Sequence, residues 1–166
     1  MQRYERSIET QVPVEELFAF HTEPSNLLRI TPPNVRVEVL RHDPPGEGAI
    51  VELRVHPISF LPFISSRWRM RFEIFDPPRR LADVQIAGPF RSWRQIREFI
   101  PIDESHSLLH DTVLYELPFG PLGRLVNSLF VARMVRRMFE HRQSATKRLL
   151  ETRDVNSDNV AQRHPE

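Results

Sequence analysis

The sequence contains no cysteine, and this absence removes several kinds of site at once. Disulfide bonds, zinc sites built on thiolates and cysteine nucleophiles are all excluded in these 166 residues. Without cysteine, the sequence gives no indication of whether its compartment is oxidising or reducing. A reducing cytoplasm is compatible with such a composition.

An excess of charge of one sign and long apolar runs are also missing. Lys and Arg total 23 against 22 Asp and Glu, so the net charge of +1 creates no overall field that would attract nucleic acid. Charged residues interrupt segment 1–12, where a signal peptide needs a continuous apolar stretch, and no window has the length of a membrane span. We therefore expect a cytoplasmic protein with no nucleic-acid partner and no integral membrane span.

Glycine is scarce and proline is abundant, with five Gly against fifteen Pro. Because proline cannot donate a hydrogen bond to a sheet, it belongs at the ends of strands and in turns. The prolines of this chain cluster where alternating segments stop. These positions are Pro32, Pro33, Pro44, Pro45, Pro77, Pro78, Pro101 and Pro118.

Between the prolines, the pattern of apolar residues changes from helix to strand and back to helix. A first strand over 4–11 precedes two short helices over 13–21 and 24–30, and about six strands follow by residue 117. From 121 to about 150, apolar residues recur every three or four positions, which predicts one long helix. Residues 152–166 are polar, and we predict a disordered tail there.

This order of elements favours one architecture. A sheet that is apolar on one side and is followed by a single long amphipathic helix curls around that helix and leaves a space between the two layers. We predict an α+β fold in which a curved antiparallel sheet of about six to seven strands wraps around the C-terminal helix. Residues 1–151 form the single domain of this prediction.

Segment 83–120 contains four short motifs, which read Asp83-x-Gln85, Gly88-Pro89-Phe90, Trp93-x-Gln95-x-Arg97-x-Phe99 and Asp111-x-Val113-x-Tyr115-x-Leu117-Pro118-x-Gly120. They resemble the signature of the START-like, or polyketide cyclase (SRPBCC), superfamily, and more narrowly its bacterial ligand-binding branch. The resemblance covers about residues 2–150 and implies the helix-grip fold with a small hydrophobic ligand inside. Two residues depart from the family pattern, because Gln95 and Arg97 stand where it has two histidines.

The alternation of side chains along a strand then places polar groups inside the sheet. If Trp93 faces the helix, so does Arg97, because residues an even number apart share one face. Setting Phe99 opposite Leu109 across the turn places Arg97 opposite Asp111, and we predict a close side-chain pair between these two. We favour a structural role for this pair over a catalytic one.

For the strand over 81–87, the sequence does not decide which of its two faces points inward. Asp83 and Gln85 share the pocket in one interpretation, whereas Ala82, Val84 and Ile86 form an equally plausible inner face in the other.

We expect the ligand-binding residues to lie on the inner face of the sheet and on the facing side of the helix. The apolar segment 57–64 is predicted to fold over the cavity as a lid. We predict no catalytic residue and no cofactor. We also predict no metal site, because His106 and His110 lie too far apart on their strand to bind one metal ion. The predicted ligand-binding residues are Trp68, Met70, Phe72, Trp93, Gln95, Arg97, Phe99, Asp111, Val113, Tyr115, Val126, Phe130 and Met134.

Three functions are compatible with these residues. We favour a protein that binds or carries a small hydrophobic molecule, namely a lipid, isoprenoid, polyketide or aromatic compound. The enzyme alternative is a cyclase or dehydratase in which Asp111 acts as base and Arg97 stabilises an enolate. The third is an interaction module that presents a bound lipid or segment 57–64 to a protein. The arginines Arg133, Arg136 and Arg137 on the long helix are interpreted as a solvated face, and peripheral membrane contact through them is the less favoured alternative.

Overall fold

The computed structural model describes residues 1–56, 65–118, 120–121 and 130–161, with side chains described as far as Thr152. Ten helices and strands lie within these ranges. In chain order they are β1 (Gln2–Thr10), α1 (Val14–Thr22), α2 (Pro24–Arg29), β2 (Arg36–His42), β3 (Ile50–His56), β4 (Ser66–Asp76), β5 (Arg80–Ala87), β6 (Ser92–Pro101), β7 (Ser107–Glu116) and α3 (Ala132–Ala161).

The seven strands form one antiparallel sheet in the order β1-β7-β6-β5-β4-β3-β2. Strands β2 to β7 are a meander, in which each strand pairs with the next along the chain. Strand β1 pairs with β7 and forms one edge of the sheet. Along β1 half-buried and exposed residues alternate, as expected for a sheet with one covered face. The long helix α3 follows the sheet, and the predicted α+β helix-grip fold is confirmed.

The register between β6 and β7 is the one that the sequence predicts. Trp93 lies opposite Tyr115, Arg97 opposite Asp111, and Phe99 opposite Leu109. A single turn and a strict alternation of side chains fix this ladder, so no distant contact is needed to set it.

The open question about β5 is resolved by the residues that lie opposite Asp83 on its two neighbouring strands. Phe72 of β4, which lines the cavity, lies opposite Asp83. Asp83 lies opposite Gln95 on the other side and is buried, whereas Ile86 is exposed. The inner face of β5 is therefore the one that carries Asp83.

Helix α3 extends further than its sequence pattern indicates. It ends at Ala161 rather than near Leu150, and so continues into the segment predicted as a disordered tail. No proline or glycine occurs between Ala132 and Ala161, so nothing in the backbone chemistry stops the helix. The lid over 57–64, the site residue Val126 and the rest of segment 122–129 of the predicted helix all lie outside the described residues.

Candidate ligand-binding cavity

A cavity of about 1240 Å³ lies between the inner face of the sheet and α3. Small-molecule sites in proteins usually measure about 300–1,000 Å³, so this space has room for a ligand of substantial size. Strands β2 to β7 supply one wall, and α1, α2 and α3 supply the other.

The part of the wall formed by β4 and by the beginning of β6 is apolar and aromatic. Trp68, Met70 and Phe72 alternate with arginine and glutamate along β4, so all three point inward. The Trp68 ring lies 5.4 Å from Trp93 at an angle of 78°, and 5.3 Å from Phe90 at 70°. Edge-to-face packing of this kind fixes the rings in place and leaves their outer faces toward the cavity.

The predicted site residues fall into three groups. Those that line the cavity are Trp68, Met70, Phe72, Trp93, Gln95, Arg97, Asp111, Phe130 and Met134. Phe130 is 68% exposed and Met134 48% exposed, so both stand at the rim. Val126 is not among the described residues.

The third group, Phe99, Val113 and Tyr115, lies in the packed core instead of on the cavity wall. The Phe99 ring packs edge-on against Phe18 of α1 at 5.1 Å, so α1 fills the space in front of it. Tyr115 packs against Phe90 and Trp93, at 5.7 and 5.9 Å between ring centres. These side chains support the wall from behind.

A group of polar side chains, which we call the polar layer, occupies the inner part of the cavity wall. All of its members line the cavity, and four of them come from the sheet and two from α3. The polar layer consists of Asp83, Gln95, Arg97, Asp111, Arg142 and Gln143.

Asp111 is held in the polar layer by two amide groups. Gln95 Nε2 donates to Asp111 Oδ1 at 2.9 Å, and Gln143 Nε2 donates to Asp111 Oδ2 at 2.8 Å. Gln143 Nε2 also donates to the backbone oxygen of Arg6 at 3.1 Å. The helix is thus tied to two strands of the sheet through a single side chain.

The predicted side-chain pair between Arg97 and Asp111 is wrong, although their register is right. Arg97 Nη2 donates instead to Asp83 Oδ1 on the opposite neighbouring strand, in an ion pair. Both oxygens of Asp111 already accept amide hydrogens, whereas Asp83 has no other donor among the described residues. The guanidinium therefore satisfies the carboxylate that would otherwise be left unpaired.

Apolar clusters enclose the polar layer on both sides. Along β6 the order is Trp93, Gln95, Arg97 and Phe99, and the two aromatic residues belong to different core clusters. Helix α3 repeats this order with Phe139, Gln143 and Leu150. Polar groups in such surroundings are costly unless they are paired, so the hydrogen bonds and ion pair within the polar layer are needed to keep it there.

Burial dominates the protonation of this region. It raises the pKa of both Asp83 and Asp111, and the nearby Arg97 guanidinium only partly opposes it. Burial, with the positive charges of Arg97 and Arg142, lowers the pKa of His21 to about 3. Burial and Arg97 together lower the pKa of Arg142 to about 10, so this guanidinium stays charged at neutral pH.

Sequence reasoning missed Arg142, Gln143, Thr146 and His21, all of which line the cavity. One signal was available for Gln143, which stands four residues after Phe139 and so lies on the buried stripe of α3. A polar residue on such a stripe needs a buried partner.

The described residues contain no cluster of three or more His, Asp or Glu side chains placed to hold a metal ion. His106 Nδ1 lies 2.9 Å from Asp103, and His110 Nδ1 lies 2.8 Å from Ser7 Oγ, so both have local partners. In the same part of the chain, no helix combines the length and apolar composition needed to cross a bilayer.

The fold and the internal cavity together define a START-like helix-grip protein. Residues 1–151 match the model of the family described as polyketide cyclase / dehydrase and lipid transport. The chain belongs to this family, and its membership confirms the resemblance that the motifs in segment 83–120 indicate.

Solved structures with the same fold are distant in sequence. TTHA0849 from Thermus thermophilus has a TM-score of 0.70 at 17% identity, over 89% of this chain and 95% of that one. A START superfamily protein from Mycobacterium smegmatis has a TM-score of 0.63 at 14% identity, over 90% and 97%. The di-domain ARO/CYC BexL of the BE-7585A biosynthetic pathway has 0.67 at 19%, over 91% and 47%. A search of curated proteins found no significant match.

Proposed function

We propose that the protein binds or carries a small hydrophobic molecule in the cavity between the sheet and α3. The observation that carries this proposal is a space of about 1240 Å³ with aromatic walls and a polar layer at its inner part. Protein interiors are normally close-packed, and empty apolar space lowers stability. A ligand that fills this space offsets that cost.

Both tryptophans of the chain line the cavity, which makes the proposal directly measurable. The first experiment is solvent extraction of the purified protein, with native mass spectrometry to detect a bound molecule. The second is a titration with pyrenebutanol, whose pyrene group accepts excitation energy from tryptophan. We expect saturable transfer at one probe per chain, and transfer that does not saturate would contradict the proposal.

Trp68 is the better residue to change in this test. Trp93 is almost fully buried and packs against Trp68, Phe90 and Tyr115, so Trp93→Ala would cost about 3–5 kcal/mol of stability and confound the result. Trp68→Ala removes a half-buried indole ring from the cavity wall. It should weaken the binding of pyrenebutanol about tenfold, as measured by calorimetry. Ile86→Ala, on the outer face, is the matched control and should not affect binding.

One observation favours the cyclase or dehydratase alternative. Asp111 lines the cavity and burial raises its pKa, which is the environment of many general bases. Its two oxygens, however, both accept amide hydrogens, which leaves its basic lone pairs engaged and favours binding over catalysis. Cyclisation or dehydration of a polyketide-like thioester that is lost in Asp111→Asn would support the enzyme instead.

The interaction-module alternative presents either a bound lipid or segment 57–64 to a partner, and that segment lies outside the described residues. A cytoplasmic location and the lack of a nucleic-acid partner remain proposals, and the near-neutral charge supports the second. The arginines proposed for peripheral membrane contact, Arg133, Arg136 and Arg137, are all exposed.

A further inference from the structure

Arg142 is the one charged side chain of the polar layer that has no polar partner among the described residues. Arg97 pairs with Asp83, and Asp111 accepts hydrogen bonds from Gln95 and Gln143. Arg142 has neither a hydrogen bond nor an ion pair to any described residue, and its buried Nε is unsatisfied. Its only described contact of this kind is with the Phe139 ring, 5.6 Å from the guanidinium carbon to the ring centre.

Arg142 is half-buried and its Nε is fully buried, and a charged group that loses part of its water without gaining a polar partner is unfavourable. The positive charge nevertheless persists at neutral pH, since the pKa of Arg142 is lowered only to about 10. The two carboxylates nearby are already engaged with Arg97 and with the amides. Asp83 and Asp111 act on the charge of Arg142 through space, but among the described residues neither forms an ion pair with it.

Two further unsatisfied atoms lie on the same part of α3. Thr146, four residues after Arg142 and so on the same helix face, is completely buried, and its Oγ1 has no partner among the described residues. Gln143 Oε1 is also buried and unpartnered. Both residues line the cavity with Arg142. A buried hydroxyl beside an unpaired guanidinium offers two kinds of donor to one oxygen-bearing group.

We propose that the ligand is a hydrophobic carboxylic acid whose carboxylate pairs with Arg142 while its apolar body lies along Trp68, Met70 and Trp93. This inference rests on the proposed function and names the class of molecule that the cavity takes. One unpaired positive charge matches one negative charge, and the planar guanidinium fork matches the two oxygens of a carboxylate. A phosphate, with more than one negative charge, would bring excess charge close to Asp83 and Asp111.

The test compares two probes that share a skeleton and differ in the head group, pyrenebutyrate and pyrenebutanol. Their dissociation constants are measured at neutral pH by energy transfer from tryptophan. We expect the wild-type protein to bind the acid about tenfold or more tightly than the alcohol, the range of a charge-assisted hydrogen bond. In Arg142→Met this ratio should fall to about one.

Arg148→Met is the matched control, because Arg148 is an exposed arginine on the same helix that does not line the cavity. It should keep the wild-type ratio. Arg142→Lys retains the charge but not the fork, and should give an intermediate ratio. Circular dichroism establishes that each variant is folded.

The outcomes separate this inference from the proposed function. Equal affinity of the two probes for the wild-type protein overturns the inference and leaves the proposed function standing, and this comparison needs no variant. A preference for the acid that survives in folded Arg142→Met also overturns it. If neither probe binds, the proposed function fails and the inference fails with it.

Discussion

Arg97 pairs with Asp83 on β5 although Asp111 stands directly opposite it on β7. The choice depends on the helix, because Gln143 of α3 and Gln95 together occupy both oxygens of Asp111. Each carboxylate of the polar layer thus has its own set of donors. The choice of Asp83 as the partner of Arg97 therefore depends on Gln143, which belongs to the helix and not to the sheet.

This pairing predicts strong coupling between Arg97 and Asp83. Removal of one partner leaves a buried charge without compensation, so Arg97→Met and Asp83→Asn should each cost about 3–5 kcal/mol in the free energy of unfolding. The double variant should cost clearly less than the sum of the two, as measured by urea denaturation at pH 7. Arg94→Met, which breaks the exposed ion pair with Glu73, is the control and should cost at most about 1 kcal/mol. Additive costs for Arg97 and Asp83 would contradict the pairing.

The strands and their register could be predicted because the information is local. The alternation along 93–99 identifies the inner face of β6, and one turn sets its partners on β7. The partner of Arg97 could not be predicted in this way. It depends on Gln143, which lies 32 residues after Asp111 and reaches it only through the packing of α3 on the sheet.

The inner face of β5 could not be predicted for a different reason. Asp83 is polar whereas its neighbours Ala82 and Val84 are apolar, so the alternation alone favours the wrong face, and only the partners Phe72 and Gln95 on the neighbouring strands identify the inner one. The cavity wall was also only partly predictable. Phe99 shares the inner face with Arg97, but α1 packs against it, and the alternation of side chains carries no information about such cover.

Gln143 should contribute to stability through Asp111. Gln143→Leu keeps the volume of the side chain but removes a donor from a buried carboxyl, and should cost about 1–3 kcal/mol at pH 7. The lost hydrogen bond should also raise the pKa of Asp111 further, because it acts to lower that pKa. A raised carboxyl pKa penalises the folded state as the pH rises above its unfolded value near 3.8, so the cost should be larger at pH 7 than at pH 4.

Urea denaturation at the two pH values measures this difference. Ser144→Ala changes the exposed residue next to Gln143 and should have little effect at either pH. A cost of Gln143→Leu that does not change between pH 4 and pH 7 would show that the amide does not act on the ionised carboxylate.

His21 should make the protein sensitive to mild acid. Its pKa is lowered from 6.5 to about 3 in the folded state, so the stability that it contributes is present above pH 6.5 and is lost as the pH falls toward 3. Between pH 7 and pH 5 the loss should approach about 2 kcal/mol. His21→Phe removes the titrating ring but keeps an aromatic side chain against Phe20 and Phe99.

The measurement is the free energy of unfolding at pH 7 and pH 5 for the wild type and His21→Phe. The variant should lose less stability over this interval by the amount that His21 contributes. His42→Phe, at an exposed position on β2, reports the effect of replacing a surface histidine. Equal losses in the wild type and His21→Phe would contradict a buried neutral imidazole.

A side chain at position 88 would collide with the amide of Gln85. Gln85 Nε2 donates to the backbone oxygen of Phe90 at 2.7 Å, and a Cβ on residue 88 would lie only 2.6 Å from Gln85 Cδ. Gly88→Ala should therefore displace this amide and cost about 1–3 kcal/mol by thermal or urea denaturation.

The prediction is tested by measuring the cost of Gly88→Ala a second time in a protein that already carries Gln85→Ala. In that background the clash is absent, so the additional cost of Gly88→Ala should largely disappear, which is non-additivity between two contacting residues. Gly46→Ala is the matched control, since no atom lies within 4 Å of its Cβ position, and it should change stability by at most about 0.5 kcal/mol. Because Phe90 packs against both tryptophans, displacement of the Gln85 amide should also shift the tryptophan emission of Gly88→Ala. A full cost of Gly88→Ala in the Gln85→Ala background would mean that the backbone, and not the amide, requires glycine here.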